Sequence, residues 1–180
     1  MSEESIVRSC APTLAGMKTG NMFSTFFESR SGFIDDLRAY RASLKNKGIE
    51  FLPIKICDGR ALMYMFRPDS LQRDISQPDN SEFLRQFGYD TEDPYKAVGA
   101  LMRRFRDFPC PHEIGLFLGY PLEDVKGFID YKGSFYKYAG LWKVYGDVEN
   151  SKRIFKRYKQ CTESLCRRLS AGASMDDLIA

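Results

Sequence analysis

The stretch that most restricts the fold is residues 49–66, where IEFLPIKIC and RALMYMF flank Asp58-Gly59. Asp-Gly accepts the two positive φ angles of a two-residue type I′ turn, whose twist matches a pair of antiparallel strands. In the first arm Leu52, Ile54 and Ile56 alternate with Phe51, Pro53 and Lys55, the period of a strand. Pro53 has no N–H to give a ladder, so this arm belongs at a sheet edge or carries a bulge. A lone hairpin is marginal in water. The chain must therefore add at least one strand and cover the faces with helices.

At 180 residues the chain fits a single domain over 1–180, large enough to bury roughly 70% of its unfolded surface. A net charge of +3 does not call for nucleic acid, which goes with a strongly basic face. No apolar run approaches the roughly 20 residues of a membrane span. The opening MSEESIVRSC is acidic early and lacks the apolar centre of a signal peptide. No membrane association is expected, and a cytoplasmic location is. Five cysteines in no framework spacing are expected to be free thiols there.

Along the chain, residues 3–9 suit a short helix. Pro12 argues against extending it, and strands at 13–17 and 22–26 around a turn at 18–21 are predicted. Residues 31–47 carry Phe33, Ile34, Leu37, Tyr40 and Leu44 on one helical face, with Ser31 as N-cap and Gly48 as the stop. Pro68 ends the hairpin, residues 67–80 suit a short helix and a loop, and 81–88 and 93–107 suit helices. The aromatic run 135–145 reads as a strand returning to the hairpin's sheet. Asp147 caps a last helix, 148–169, whose outer face bears Lys152, Arg153, Lys156, Arg157 and Lys159. The fold class is α+β: a small, mainly antiparallel sheet with a central hairpin, covered by helices 31–47 and 148–169. A helical subregion over about 81–131 packs at one end.

That subregion holds a helix-turn-helix-like unit at 111–131. Ile114 and Leu118 face inward, Gly115 is small at the crossing, and Gly119 sits in the turn. Val125, Phe128 and Ile129 form the buried side of the second helix. Its exposed start, Leu122-Glu123-Asp124, is ill suited to phosphates and acceptor-rich base edges. A structural helical hairpin is thus the simpler reading, with a DNA-binding regulator as the alternative.

Two segments gather reactive side chains. Cys110-Pro111-His112-Glu113 offers a thiol, an imidazole and a carboxylate, suited to haem or a transition metal with Cys110 and His112 as ligands, or to acid–base work. One Cys and one His are half a zinc site, and the ordinary alternative is a core cysteine beside a helix start. Cys10 to Asn21 places Cys10, Lys18, Thr19 and Asn21 in a glycine-bracketed loop suited to an anion, without the spacing of a P-loop. Tyr120 and Trp142 are the aromatic candidates for a ligand contact; Trp142 shares the 135–145 run with Tyr136, Tyr138 and Tyr145.

At CAPTLAGMKTGNMFS, PHEIGLFLGYPLEDVKGFI and GLWKVYGD the chain resembles a family of small bacterial cytosolic proteins, a domain of unknown function. The resemblance implies one intact domain and carries no activity or catalytic residue. Three functions stand side by side. The first is a small-molecule or cofactor site where 10–21 meets 110–113, enzymatic or binding, with His112 as acid–base group or ligand, Glu113 its partner, Cys10 or Cys110 the thiol and Lys18 an anion contact. The others are a DNA-binding regulator through 111–131 and a scaffold module without chemistry. The first requires the two segments to meet at a cleft.

Overall fold

The computed structural model describes residues 1–180. In chain order it contains α1 (Glu3–Leu14), β1 (Gly20–Phe26), α2 (Arg30–Lys45), β2 (Glu50–Cys57), β3 (Arg60–Phe66), α3 (Pro68–Ile75), α4 (Pro78–Arg85), α5 (Pro94–Asp107), α6 (Ile114–Phe117), α7 (Leu122–Asp130), β4 (Tyr138–Ala139), β5 (Lys143–Val144) and α8 (Val148–Ser170), then a short 3-10 turn at Met175–Leu178. The class is α+β.

The hairpin forms as its residues require. Asp58 and Gly59 both have positive φ, 47° and 73°. The sheet order is β1-β3-β2, all antiparallel. β2 is thus an edge strand, and its register shifts between Pro53 and Lys55, so Pro53 has both the edge and the irregularity that its missing N–H demands. Central β3 alternates strictly between two cores. Met63 and Met65 point to one face, where Phe51 joins them against Ile6, Cys10 and Leu14 of α1 and Phe33 and Leu44 of α2. Tyr64 and Phe66 point to the other, against Leu71 and Ile75 of α3, Leu101 and Phe105 of α5 and Phe117 of α6. The helices from 68 to 130 thus lie across the second face rather than at one end of the sheet. α8 packs mainly along α1 and reaches the first core through Leu165.

Several local expectations are corrected. α1 does not stop at residue 9, and 13–17 is not a strand. Ile6, Val7, Cys10, Ala11 and Leu14 make one buried helical face, and that burial outweighs the single backbone bond Pro12 forgoes in the last turn. Ser29, not Ser31, caps α2 by accepting from the Gly32 N–H. Pro68, Pro78 and Pro94 open helices, as proline does at a first helical position. The run 135–145 does not join the sheet. It forms the two-residue pair β4–β5, held by its aromatic rings against α7 and α8.

One close approach ties the layers together. The Tyr64 hydroxyl donates to the Phe117 carbonyl at 2.7 Å, and Gly20 lies directly beneath. A Cβ there would sit 2.7 Å from the Tyr64 ring and 2.8 Å from that carbonyl. Gly20→Ala is expected to destabilise the protein by about 2–3 kcal/mol through overpacking, as a lower denaturation midpoint with an unchanged m-value.

Candidate functional site

The loop after α1 is fixed from three sides. Arg67, just beyond β3, donates to the carbonyls of Thr13 and Leu14 at the end of α1, at 2.8 and 2.7 Å. These are carbonyls that a helix terminus leaves without intrahelical partners. The Met17 and Lys18 N–H groups turn back to the Pro12 carbonyl. The Tyr158 hydroxyl of α8 donates to the Met17 carbonyl at 3.3 Å. On the other side Thr19 donates to the Asp74 carboxylate and lies against Gly119, whose φ is 73°. Loop 15–20 is therefore set against the turn after α6, and the Lys18 ammonium comes to rest 5.2 Å from the centre of the Tyr120 ring, a cation–π distance.

Lys18 opens into a cleft of about 690 Å³ between α1, α8 and the β4–β5 turn. Five cationic residues line it: Arg8, Lys18, Lys152, Lys156 and Lys159. No carboxylate does. Tyr120, Tyr138, Phe155 and Tyr158 supply aromatic surface, and Asn21 and Thr162 neutral polar groups. Three of the cations have a carboxylate on their own helix: Arg8 with Glu4, Lys152 with Glu149 and Lys159 with Glu163. Such exposed pairs are worth roughly 0–1 kcal/mol, so a ligand can displace them at small cost. Lys18 and Lys156 form no ion pair. Burial pushes the Lys18 ammonium down to about 8, with only slight help the other way from Cys10.

The β4–β5 turn is pinned to the cleft's rim. Buried Asp124 of α7 accepts from the Trp142 indole N–H at 2.7 Å and from the backbone N–H groups of Tyr145 and Gly146 at 2.7 and 2.9 Å. Trp142 stacks on Tyr120 at 4.6 Å and meets Phe155 of α8 edge-on at 4.4 Å. Gly140 packs so closely on Phe155 that a Cβ would lie 2.1 Å from its ring. Beyond this turn is a second chamber of about 440 Å³, lined by Cys110, His112, Phe128 and Trp142 among others.

The residues singled out in the sequence part company here. Lys18, Asn21 and Tyr120 line the basic cleft. Cys110, His112, Tyr120 and Trp142 line the second chamber. Thr19 is spent on Asp74. Cys10 is fully enclosed in the first core, where burial holds its thiol well above the ordinary range, so it reaches neither cavity and is not the expected nucleophile. Glu113 is not a partner of His112. It is 2% exposed and accepts from Tyr89 at 2.9 Å and from Arg104. His112 instead lies edge-on to Phe128 at 4.9 Å. Segments 18–21 and 110–112 thus line separate cavities, with Tyr120 common to both. No group of three or more His, Cys, Asp or Glu side chains is placed to hold a metal ion, so Cys110 and His112 find no third ligand of that kind.

The helix-turn-helix-like unit is also altered. α6 is a single turn. α7 is clasped from outside, since Tyr145 covers Gly127 and leaves its Cβ position 2.4 Å from the ring, and Asp124 holds 142–146. Glu123, Lys126 and Asp130 of α7 remain exposed. No helix is long and apolar enough to cross a membrane.

Sequence reading missed Arg8, Lys152, Lys156, Lys159, Phe155 and Tyr158 as members of one site. A signal was present: 152, 155, 156, 159 and 162 follow helical spacing and, with Tyr158, are the cleft-lining positions of α8, whereas Arg153 and Arg157 are not.

Two outcomes are expected. Glu113→Ala leaves Arg104 without its partner and lowers stability by about 3 kcal/mol in a denaturant titration. Lys18→Met removes a desolvated charge and raises the melting temperature at pH 7. Below about pH 8 the wild-type fold carries the full cost of that ammonium. From about 8 up to its ordinary value of 10.5 the unfolded chain holds the extra proton, so wild-type stability rises with pH and the advantage of the variant shrinks across that window.

Neither a curated protein nor a solved structure matches the chain. Residues 6–179 match the family described as Protein of unknown function (DUF3793), and the chain belongs to that family.

Proposed function

We propose that this protein binds a small phosphorylated or otherwise multiply anionic ligand in the cleft between α1 and α8. The observation that carries this reading is Lys18, a partly buried ammonium with no carboxylate partner, facing a cavity where four further cations and no anion gather. Structural lysines are rarely left so, because burying an unpaired charge costs stability. A desolvated cation in a cleft is the arrangement that functional sites retain. An anion entering there meets charges of one sign from α1, the 15–20 loop and three positions of α8. Tyr138 can add a hydroxyl donor, whereas the Tyr158 and Thr162 hydroxyls already donate to the Met17 and Tyr158 carbonyls. The cleft volume lies within the range of small-molecule sites, roughly 300–1,000 Å³. The reading is of binding; no nucleophile and base are paired around the cleft to commit it to catalysis.

Isothermal calorimetry with inorganic pyrophosphate, and with sulfate as an anion that does not titrate in this range, tests the reading. Saturable one-site binding is expected, weakening as salt is raised and lost in Lys18→Met and Lys156→Glu. The pH dependence has a defined sign. A bound anion favours the Lys18 ammonium, so binding is strongest below about pH 8 and weakens above it, with proton uptake on binding near that pH. Absence of saturable binding to either anion at low salt would overturn the reading.

A further inference from the structure

The basic cleft and the chamber beyond the β4–β5 turn share three lining residues, Tyr120, Gly140 and Leu141. They adjoin, yet their chemistry differs. The cleft brings five cations and no carboxylate. The chamber's two charged residues are already engaged: Asp124 with three donors, and Lys143 with the Gly133 carbonyl at 2.6 Å and the Tyr136 and Phe128 rings. What remains is mostly aromatic and aliphatic surface, from Tyr120, Phe128, Trp142, Ile114 and Val125, with His112 at the exposed rim. The chamber therefore has nothing to offer a second anion and much to offer an apolar group.

We infer that the two cavities are the halves of one site, and that its ligand is an organic phosphate carrying a planar aromatic ring, of the nucleoside diphosphate kind: phosphates in the cleft, ring in the chamber. This inference rests on the anion-binding reading and names the ligand class for it. Size argues for a second moiety, since the chamber adds about 440 Å³ to a cleft of about 690 Å³, more than phosphates alone occupy. Shape argues for a ring. His112, Tyr120, Phe128 and Trp142 bring rings to the chamber's walls, and rings favour stacked and edge-on partners. Gly140, which has no side chain, and Leu141, 57% exposed, lie where the two halves adjoin.

Trp142 is the chain's only tryptophan. It lines the chamber and not the cleft, but it touches the cleft-lining rings of Tyr120 and Phe155, so occupancy of the chamber is read as an emission change beyond the one pyrophosphate gives. Wild-type protein is titrated with pyrophosphate, with the diphosphates of adenosine, guanosine, cytidine and uridine, and with decyl phosphate, following both melting temperature and Trp142 emission. Pyrophosphate is expected to raise the melting temperature and to set the baseline emission change for a filled cleft. At least one nucleoside diphosphate is expected to bind tenfold or more tighter than pyrophosphate and to change the emission beyond that baseline. Phe128→Ala and His112→Ala are expected to erase that tenfold gain while retaining pyrophosphate affinity, which also shows that the variants fold. The inference is overturned if pyrophosphate binds and no nucleoside diphosphate improves on it, or if the gain is kept in both variants. It is overturned equally if only decyl phosphate shows the gain, which would assign the chamber to an alkyl chain. If pyrophosphate itself fails to bind, the anion site falls and the two-part ligand falls with it.

Discussion

The architecture turns on the contact in which the Tyr64 hydroxyl meets the Phe117 carbonyl over the bare backbone of Gly20. Three parts of the chain meet there: the central strand, the start of the first strand and the one-turn helix α6. A buried hydroxyl and a buried carbonyl each need a partner, and here each is the other's. With β1 and α6 locked at this distance, the residues that follow have little freedom. Thr19 is pressed against Gly119, and Lys18 and Tyr120 are carried out to the same side. The cleft lies where it does because the second helical layer is fastened to the sheet at this one corner.

The elements most visible in the sequence were those that depend on their own residues. The Asp58-Gly59 turn, the edge position of Pro53 and the long helix capped by Asp147 all follow from local stereochemistry and a single buried face. The failures lie where a distant surface decided the outcome. Residues 10–14 remain helical through Pro12 because α8 and the sheet bury that turn. Residues 135–145 had a strand's composition, but Trp142 and Tyr138 found Phe155, Tyr120 and Asp124 instead of a sheet edge.

The site was legible in fragments. The glycines around Lys18 marked a loop with its backbone brought close to a neighbour, and Lys18 as an anion contact needed only that loop. His112 and Glu113 are adjacent in sequence but turn to different surroundings just before α6, one to a cavity and the other to Tyr89 and the partly buried Arg104. The lysines of α8 were visible as an outer face. Nothing in the periodicity of α8 says that the β4–β5 turn folds back over that face and makes it a wall. Burial also sets the energetic character of the cleft. The Lys18 ammonium is partly desolvated and has no counter-ion, which lowers the stability of the empty protein and leaves the site ready for an anion.

The bond from Tyr158 to the Met17 carbonyl joins positions 141 residues apart, whereas the hairpin at the heart of the sheet closes over two. Contacts of long sequence separation bear the greatest loop-closure entropy and tend to form late. The cleft walls, drawn from both ends of the chain, are thus expected to assemble after the sheet and to open before it. Amide exchange along α8 should then run faster than along β3, because the binding wall is the outermost shell of the folding order and can breathe while the core stays closed.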